Sequence, residues 1–234
     1  MDDPIDGAAA PQDDRPRPAH ALVFAGGDPV PADLAHVLPS DALVVAADAG
    51  VDLAHCLGRR VDVAVGDFDS VTPAGLERAA AEGGRVERHR PDKDATDLDL
   101  ALATAAAAGA RRVTVVGGHG GRLDHLLGNL SLLAAPRFAA LTIDAWMGTA
   151  HLLVVREHAA IAGPVGAVVS LFAAHGPARG VTTTDLRYPL YDAVLEPDST
   201  LGISNVIAGP DPAVRVGEGV VLVIRPDALD SGGP

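Results

Sequence analysis

From residue 21 to about 146 the chain alternates short apolar runs with helix-length segments. That alternation constrains the fold more than any other feature. The runs are ALVFA (21–25), ALVVAA (42–47), VDVAV (61–65), RVTVV (112–116) and LTIDAW (141–146). Each has strand length, is rich in Val, Leu or Ile, and is largely apolar rather than strictly alternating, which suits strands buried on both faces. Between them, 31–38 and 49–57 read as short helices. Thr72-Pro73 reads as an N-cap followed by proline at the first helical position, predicting a helix over 72–83. Residues 96–108 are Ala/Leu-rich and stop at Gly109, a C-cap residue, and 124–135 stop before Pro136. This order predicts a mainly parallel, Rossmann-like, doubly wound α/β sheet, with ligands at the carboxyl ends of its strands.

The pattern changes near Gly148. HLLVV, AVVSLFAA, GVTTTDL, DAVLE, ISNVIAG, AVRVG and GVVLVIRP follow, separated by Gly, Pro and Asp, with no long helical period. Short strands with turn signals predict an all-β sandwich or barrel. The expected organisation is a tail over 1–19, an α/β domain over 20–148, a β domain over 149–226 and a loose tail over 227–234. The first twenty residues are acidic and proline-rich and lack the basic start and apolar centre of a signal peptide, so residues 1–19 are expected to be disordered.

Composition narrows the partners. Aromatic residues make up only 3% of a chain that is 48% hydrophobic, so the core must be built from Ala, Val and Leu. A formal charge of −13 argues against a nucleic-acid surface, because phosphate backbones are held by clustered Lys and Arg. A phosphorylated ligand would be repelled unless a metal cation or a local basic pocket intervened. No apolar run reaches about 18 residues, so no membrane span is expected. The single cysteine, Cys56, rules out a disulfide within the chain and fits a reducing cytoplasm.

The chemistry collects at the predicted strand ends. AADAG (46–50) puts Asp48 after the second strand, and GDFDS (66–70) puts Asp67 and Asp69 after the third. PDKDATDLDLAL (91–102) places Asp92, Asp94 and Asp97 at a helix start, and GGHGGRLDH (117–125) places a glycine-rich turn, Arg122 and Asp124 after the next strand. Taken singly, each has a plain structural use. Asp48 suits a turn, Asp94 and Asp99 suit helix caps, Arg122 suits a salt bridge to Asp124, and Lys93 suits a surface ion pair. Taken together, four segments bring carboxylates to one edge of a sheet. Two carboxylates as close as Asp67 and Asp69 are costly without a positive partner. Mg²⁺ prefers a few carboxylates plus water and phosphate oxygens, and it would also answer the repulsion set up by the net charge. The glycine-rich turn suits an anion at a helix start but is neither a Walker A motif nor a dinucleotide fingerprint. The residues alone therefore predict Mg²⁺-dependent phosphoryl chemistry on a small molecule.

In this order the motifs resemble those of the thiamine pyrophosphokinase family. Ala47-Asp48-Ala49-Gly50 is similar to its A-D-G-G, residues 66–70 to its G-D-F-D-S, residues 92–97 to its D-x-x-x-T-D, and residues 117–125 to its G-G-x-x-G-R-x-D-H, with Asn129 following. Residues 182–205 resemble its G-L-x-Y-P-L stretch and later Ser-Asn pair. Ala49 stands where a glycine is usual, which matters only if that position needs φ > 0, and Asp185 replaces another glycine. The resemblance implies transfer of an intact pyrophosphoryl group from ATP to thiamine, leaving AMP. It also implies a homodimer with each active site between the α/β domain of one subunit and the β domain of the other.

By that resemblance, Asp48, Asp67, Asp69, Asp94 and Asp97 form the catalytic set, and Asp67, Asp69 and Asp92 bind Mg²⁺. Lys93, Thr96, Gly118 and Gly120 are expected around the nucleotide, together with Gly121, Arg122, Asp124 and His125. Tyr188, Ser204 and Asn205 are expected to bind thiamine. Three rival readings remain at this point. Asp67-Phe68-Asp69-Ser70-Val71 also fits the D-x-D-x-[TV] motif of haloacid-dehalogenase-type phosphatases, with Asp67 as nucleophile, but that class needs a later Lys and an acidic pair after an apolar strand, and no convincing pair of that kind follows residue 130. A nucleotide sensor with a decayed site would not keep the full set of acids. A related pyrophosphokinase with another alcohol as acceptor would keep it.

Overall fold

A computed structural model of the chain describes residues 18–92 and 94–230. Lys93 and most of the two expected tails lie outside the described residues. The α/β half runs β1 (His20–Ala25), α1 (Leu34–Val37), β2 (Leu43–Ala47), α2 (Gly50–Cys56), β3 (Val63–Gly66), α3 (Pro73–Ala81), β4 (Arg85–Arg88), α4 (Asp97–Ala107), β5 (Arg112–Gly117), α5 (Leu123–Leu133) and β6 (Thr142–Met147). The second half runs β7 (Ala150–Val155), β8 (His158–Ala160), β9 (Val168–Ala173), β10 (Ala178–Thr184), β11 (Ala193–Leu195), β12 (Asn205–Val206), β13 (Ala213–Arg215) and β14 (Val221–Arg225).

Among the described residues, ten strands form one mixed sheet in the order β12-β9-β14-β7-β6-β5-β1-β2-β3-β4. From β4 to β6 every pair is parallel. Apart from the edge strand β4, the two sides of these parallel strands feed different cores, which is why they read as largely apolar runs. Ala21, Val23 and Val113 pack under α4 through Leu98, Ala101 and Leu102, whereas Leu22, Phe24 and Val44 pack under α1 and α2 through Leu34, Val51 and Ala54. Chain direction across the sheet reverses between β1 and β5, so the loops after these two strands flank the switch point where a crevice opens.

The sheet does not end at the change of pattern near Gly148. β7 pairs antiparallel with β6, and β14, β9 and β12 continue it. β11, β10, β13 and β8 form a second antiparallel sheet. Its Val181, Leu195 and Val214 share a core with Val169, Leu171 and Val223 of the main sheet. The β half is thus two packed sheets, one of which is the far wing of the α/β sheet. A polar chain, buried at Thr114 and Asp144 and part-buried at its two histidines, crosses the join. His20 Nε2 lies 2.9 Å from Thr114 Oγ1, which donates to Asp144 Oδ1 at 2.9 Å, and His151 Nε2 lies 3.2 Å from Asp144 Oδ2.

Residues 227–230 depart from the expected loose tail. Ala228 is fully buried beneath the α1–α2 face, and the Leu229 N–H donates to the Thr149 carbonyl at 3.1 Å. β4 was absent from the expected strands. Its sequence RVER is polar and mostly exposed, as suits the edge of a sheet.

Candidate active site

The acidic cluster is built from three elements. β2 ends at Ala47, and Asp48 follows with φ +46, a left-handed conformation that Asp tolerates better than most residues. Its N–H donates to the Val65 carbonyl of β3 at 2.9 Å, so the ends of the two strands are tied together. Ala49 has φ −58, an ordinary helical value, so the alanine at this position carries no conformational cost. The indispensable glycine is Gly50, because a Cβ there would lie 2.2 Å from the Phe24 carbonyl oxygen. β3 delivers Asp67, and Thr96 caps α4 by accepting from the Asp99 N–H at 3.3 Å, which sets Asp97 in the first turn.

One carboxylate oxygen from each of Asp48, Asp67 and Asp97 lies within 4.8 Å of the others. All three residues are half-buried. Asp48 Oδ1 is buried with no hydrogen-bond partner. Burial pushes the Asp48 carboxyl above its ordinary pKa. The Ala49 N–H and Ser70 hydroxyl oppose the rise, while the charges of Asp97 and Asp69 add to it. Gly66 keeps the space open, since a Cβ there would lie 3.2 Å from Asp97 Oδ1 and 3.3 Å from Asp48 Cβ. An orphaned buried oxygen among converging carboxylates fits a small divalent cation.

The other acids of these motifs, including Asp69, which had also been expected as a metal ligand, lie outside that three-oxygen group. Asp69 is exposed, accepts from the Ser70 hydroxyl at 2.7 Å, and donates its N–H to Asp67 Oδ1 at 3.3 Å. Asp92 is ion-paired with Arg90 at 2.9 Å on the surface, Asp94 is exposed, and Asp99 pairs with Arg137 at 2.6 Å. Of the carboxylates over 92–97, the three-oxygen group includes Asp97 and not Asp92, which had been expected as a metal ligand. Phe68, between Asp67 and Asp69, is left-handed at φ +64, a conformation that costs a bulky residue about 1–3 kcal/mol.

Beside the cluster, the glycine-rich loop sits at the switch point. It is tied to the loop after β1 by Asp28 N–H to the His119 carbonyl at 2.8 Å and Gly118 N–H to the Gly26 carbonyl at 3.1 Å. Asn129 of α5 donates to the Gly118 carbonyl at 2.8 Å. Gly120 has φ +85, and a Cβ there would collide with the Asp28 carboxylate at 2.0 Å. Gly121 and His125 are partly or fully open to solvent around the start of α5. Arg122 holds Asp124 through Nε at 3.2 Å and Nη2 at 2.5 Å, both side chains being exposed. The guanidinium pulls the Asp124 carboxyl down to about 2.

In the β half, Asn205 is buried, and its amide grips the Tyr188 backbone. Nδ2 donates to the Tyr188 carbonyl at 2.7 Å, and Oδ1 accepts from the Tyr188 N–H at 3.0 Å. That use turns Asn205 into a clamp that presents the exposed Tyr188. Ser204 is exposed and left-handed at φ +55, with its N–H held by Ser170 Oγ at 3.0 Å. Asp185 holds φ +53, the conformation that favours the glycine it replaces.

Residues 34–144 match the model of the thiamin pyrophosphokinase catalytic domain, and residues 151–221 match that of the thiamin pyrophosphokinase vitamin B1 binding domain. The chain belongs to the thiamin pyrophosphokinase family. Thiamine pyrophosphokinase from Bacillus subtilis is 29% identical over 164 residues, covering 69% of this chain and 77% of that protein. The crystal structure of the Bacillus subtilis enzyme superposes with a TM-score of 0.77 at 27% identity, covering 88% of this chain and 98% of that one. The structure of thiamin pyrophosphokinase from Geobacillus thermodenitrificans gives 0.74 at 28% identity, covering 88% and 96%. The two family models meet on either side of Gly148, where the strand–helix alternation stops.

Sequence reasoning passed over Arg88. It lies at the end of β4, donates from Nη1 to the Asp67 carbonyl at 3.1 Å, and sits 5.0 Å from the Phe68 ring centroid. No motif flagged it, because β4 was not recognised as a strand.

Proposed function

We propose that the chain transfers the pyrophosphoryl group of ATP to thiamine, giving thiamine diphosphate and AMP, with Mg²⁺ held by Asp48, Asp67 and Asp97. The observation that carries this reading is the convergence of those three carboxylates within 4.8 Å around the unpartnered Asp48 Oδ1, on a chain of this family. The hydroxyethyl oxygen of thiamine attacks the β-phosphorus of ATP. A new O–P bond forms, the bond to the α–β bridging oxygen breaks with AMP leaving, and a carboxylate at this rim takes the hydroxyl proton. Mg²⁺, when bound, neutralises phosphate oxygens as a Lewis acid. The chain's own residues supply position. The strand ends hold the carboxylates, and the glycine-rich loop with Arg122 offers backbone N–H groups and a cation at the switch point, where phosphates are expected. Asp69, two positions beyond Asp67, raises the negative potential that a thiazolium cation favours.

The active unit in this reading is a homodimer. α5 buries only Leu133 and exposes Leu123 and Leu127 one turn apart, at 78% and 69%. The β half exposes Tyr188 and Tyr191 at 63% and 76%. Apolar side chains this open on both halves support an interface there. A two-fold axis can lay the β half of one subunit against the α5 side of the other, bringing Ser204 and Tyr188 to the partner's acids.

Incubation with ATP, Mg²⁺ and thiamine, with AMP resolved from ADP, tests the reaction. AMP matched by thiamine diphosphate supports it. ADP would indicate a simple kinase, and free phosphate would favour the phosphatase reading.

A further inference from the structure

We propose that Arg88 is a positioning residue for the metal-binding turn, acting by holding Phe68 in its left-handed conformation. The proposal rests on the reading that Asp48, Asp67 and Asp97 bind a divalent cation. β4 pins the turn at two successive peptides. Arg88 is paired with Gly66 in the β3–β4 register, and the next residue, His89, donates its N–H to the Gly66 carbonyl at 2.8 Å. Arg88 itself reaches the following carbonyl, that of Asp67, at 3.1 Å. The same guanidinium lies over the Phe68 ring at 5.0 Å, while that ring packs against the core beneath α1 and α2.

Phe68 has φ +64, which a phenylalanine does not adopt without help. A right-handed Phe68 would rotate the peptide that Arg88 grips and swing the Asp67 carboxylate relative to Asp48 and Asp97. The planar guanidinium bonds the carbonyl and lies over the ring at once. A lysine ammonium can replace the bond but not that broad planar cover.

The test uses Mn²⁺ as the probe, titrated into the full chain without nucleotide and followed by the loss of free-ion paramagnetic resonance signal. Wild type, Arg88→Ala, Arg88→Lys and Asp67→Asn are compared, with thermal melts to verify folding. Wild type should bind, and Asp67→Asn should bind far more weakly. Arg88→Ala should lose roughly 10-fold in Mn²⁺ affinity, as expected for a group that orients a ligand. Its Mg²⁺ half-saturation should rise by a similar factor with thiamine KM unchanged, and Arg88→Lys should recover part of the loss. In a Phe68→Asn background, where asparagine accepts the left-handed conformation unaided, removing Arg88 should cost much less. A folded Arg88→Ala or Arg88→Lys variant with unaltered Mn²⁺ affinity overturns the proposal. So does an equal loss with and without Phe68→Asn. Absence of Mn²⁺ binding by the wild type overturns the metal reading itself, and is told apart by Asp67→Asn then behaving like wild type.

Discussion

Asp48 carries opposing demands. Its backbone is left-handed, its Oδ1 is buried without a partner, and burial with neighbouring carboxylates raises its pKa. Because the raised value belongs to the folded state, the folded chain retains a proton that the unfolded chain has released. Ligand-free stability must then fall as pH rises through that window. Asp48→Asn should therefore raise the melting temperature at neutral pH in chelator, and a drop there would contradict the assignment. A cation must displace the same proton, so the Mg²⁺-induced rise in melting temperature should shrink as pH is lowered towards the ordinary carboxylate range. Asp67→Asn should fold and lose on the order of 10²-fold or more in transfer rate, read as AMP released per minute. Much of this was legible from AADAG and GDFDS, since strand-end acids repel one another without a shared counter-ion. Which carboxylate of 92–97 turns inward was not. That depends on where α4 starts, and the Thr96 cap gives the place to Asp97 while Asp92 pairs with Arg90.

Among elements, α2 and α4 set the acids. Gly50 opens α2 against β1, so Gly50→Ala drives a methyl into the Phe24 carbonyl and must push the helix and Asp48 outward. A loss of about 1–3 kcal/mol in chemical denaturation, together with a higher Mg²⁺ requirement, is expected. Leu102 of α4 is fully buried on the sheet, and Leu102→Ala should cost about 2–5 kcal/mol in the same measurement. The main helices and the parallel strands were readable because apolar runs and caps are local signals. β4 was not, because an edge strand facing water needs no apolar pattern, and with it Arg88 went unseen. The clamp that Asn205 places on Tyr188 was equally invisible, being a contact across 17 positions.

The whole molecule joins two halves through one sheet, which a strand-by-strand reading could not reveal because antiparallel strands look alike whether they found a new sheet or extend an old one. Among the described residues, no helix is long and apolar enough to cross a membrane. The exposed Leu123 and Leu127 and the exposed tyrosines lie in different halves, so, on the proposed homodimer, the wild type should sediment as a dimer and Leu123→Glu with Leu127→Glu should shift it to monomer and lower activity with it. An unaltered dimer mass would place the interface elsewhere. The central claim is that the acid cluster directs transfer of an intact pyrophosphoryl group. The most direct measurement follows ATP labelled at its γ-phosphorus through turnover with thiamine. The account predicts label in thiamine diphosphate alongside unlabelled AMP, dependent on a divalent cation and lost in Asp67→Asn. Label in thiamine monophosphate or in inorganic phosphate would contradict it.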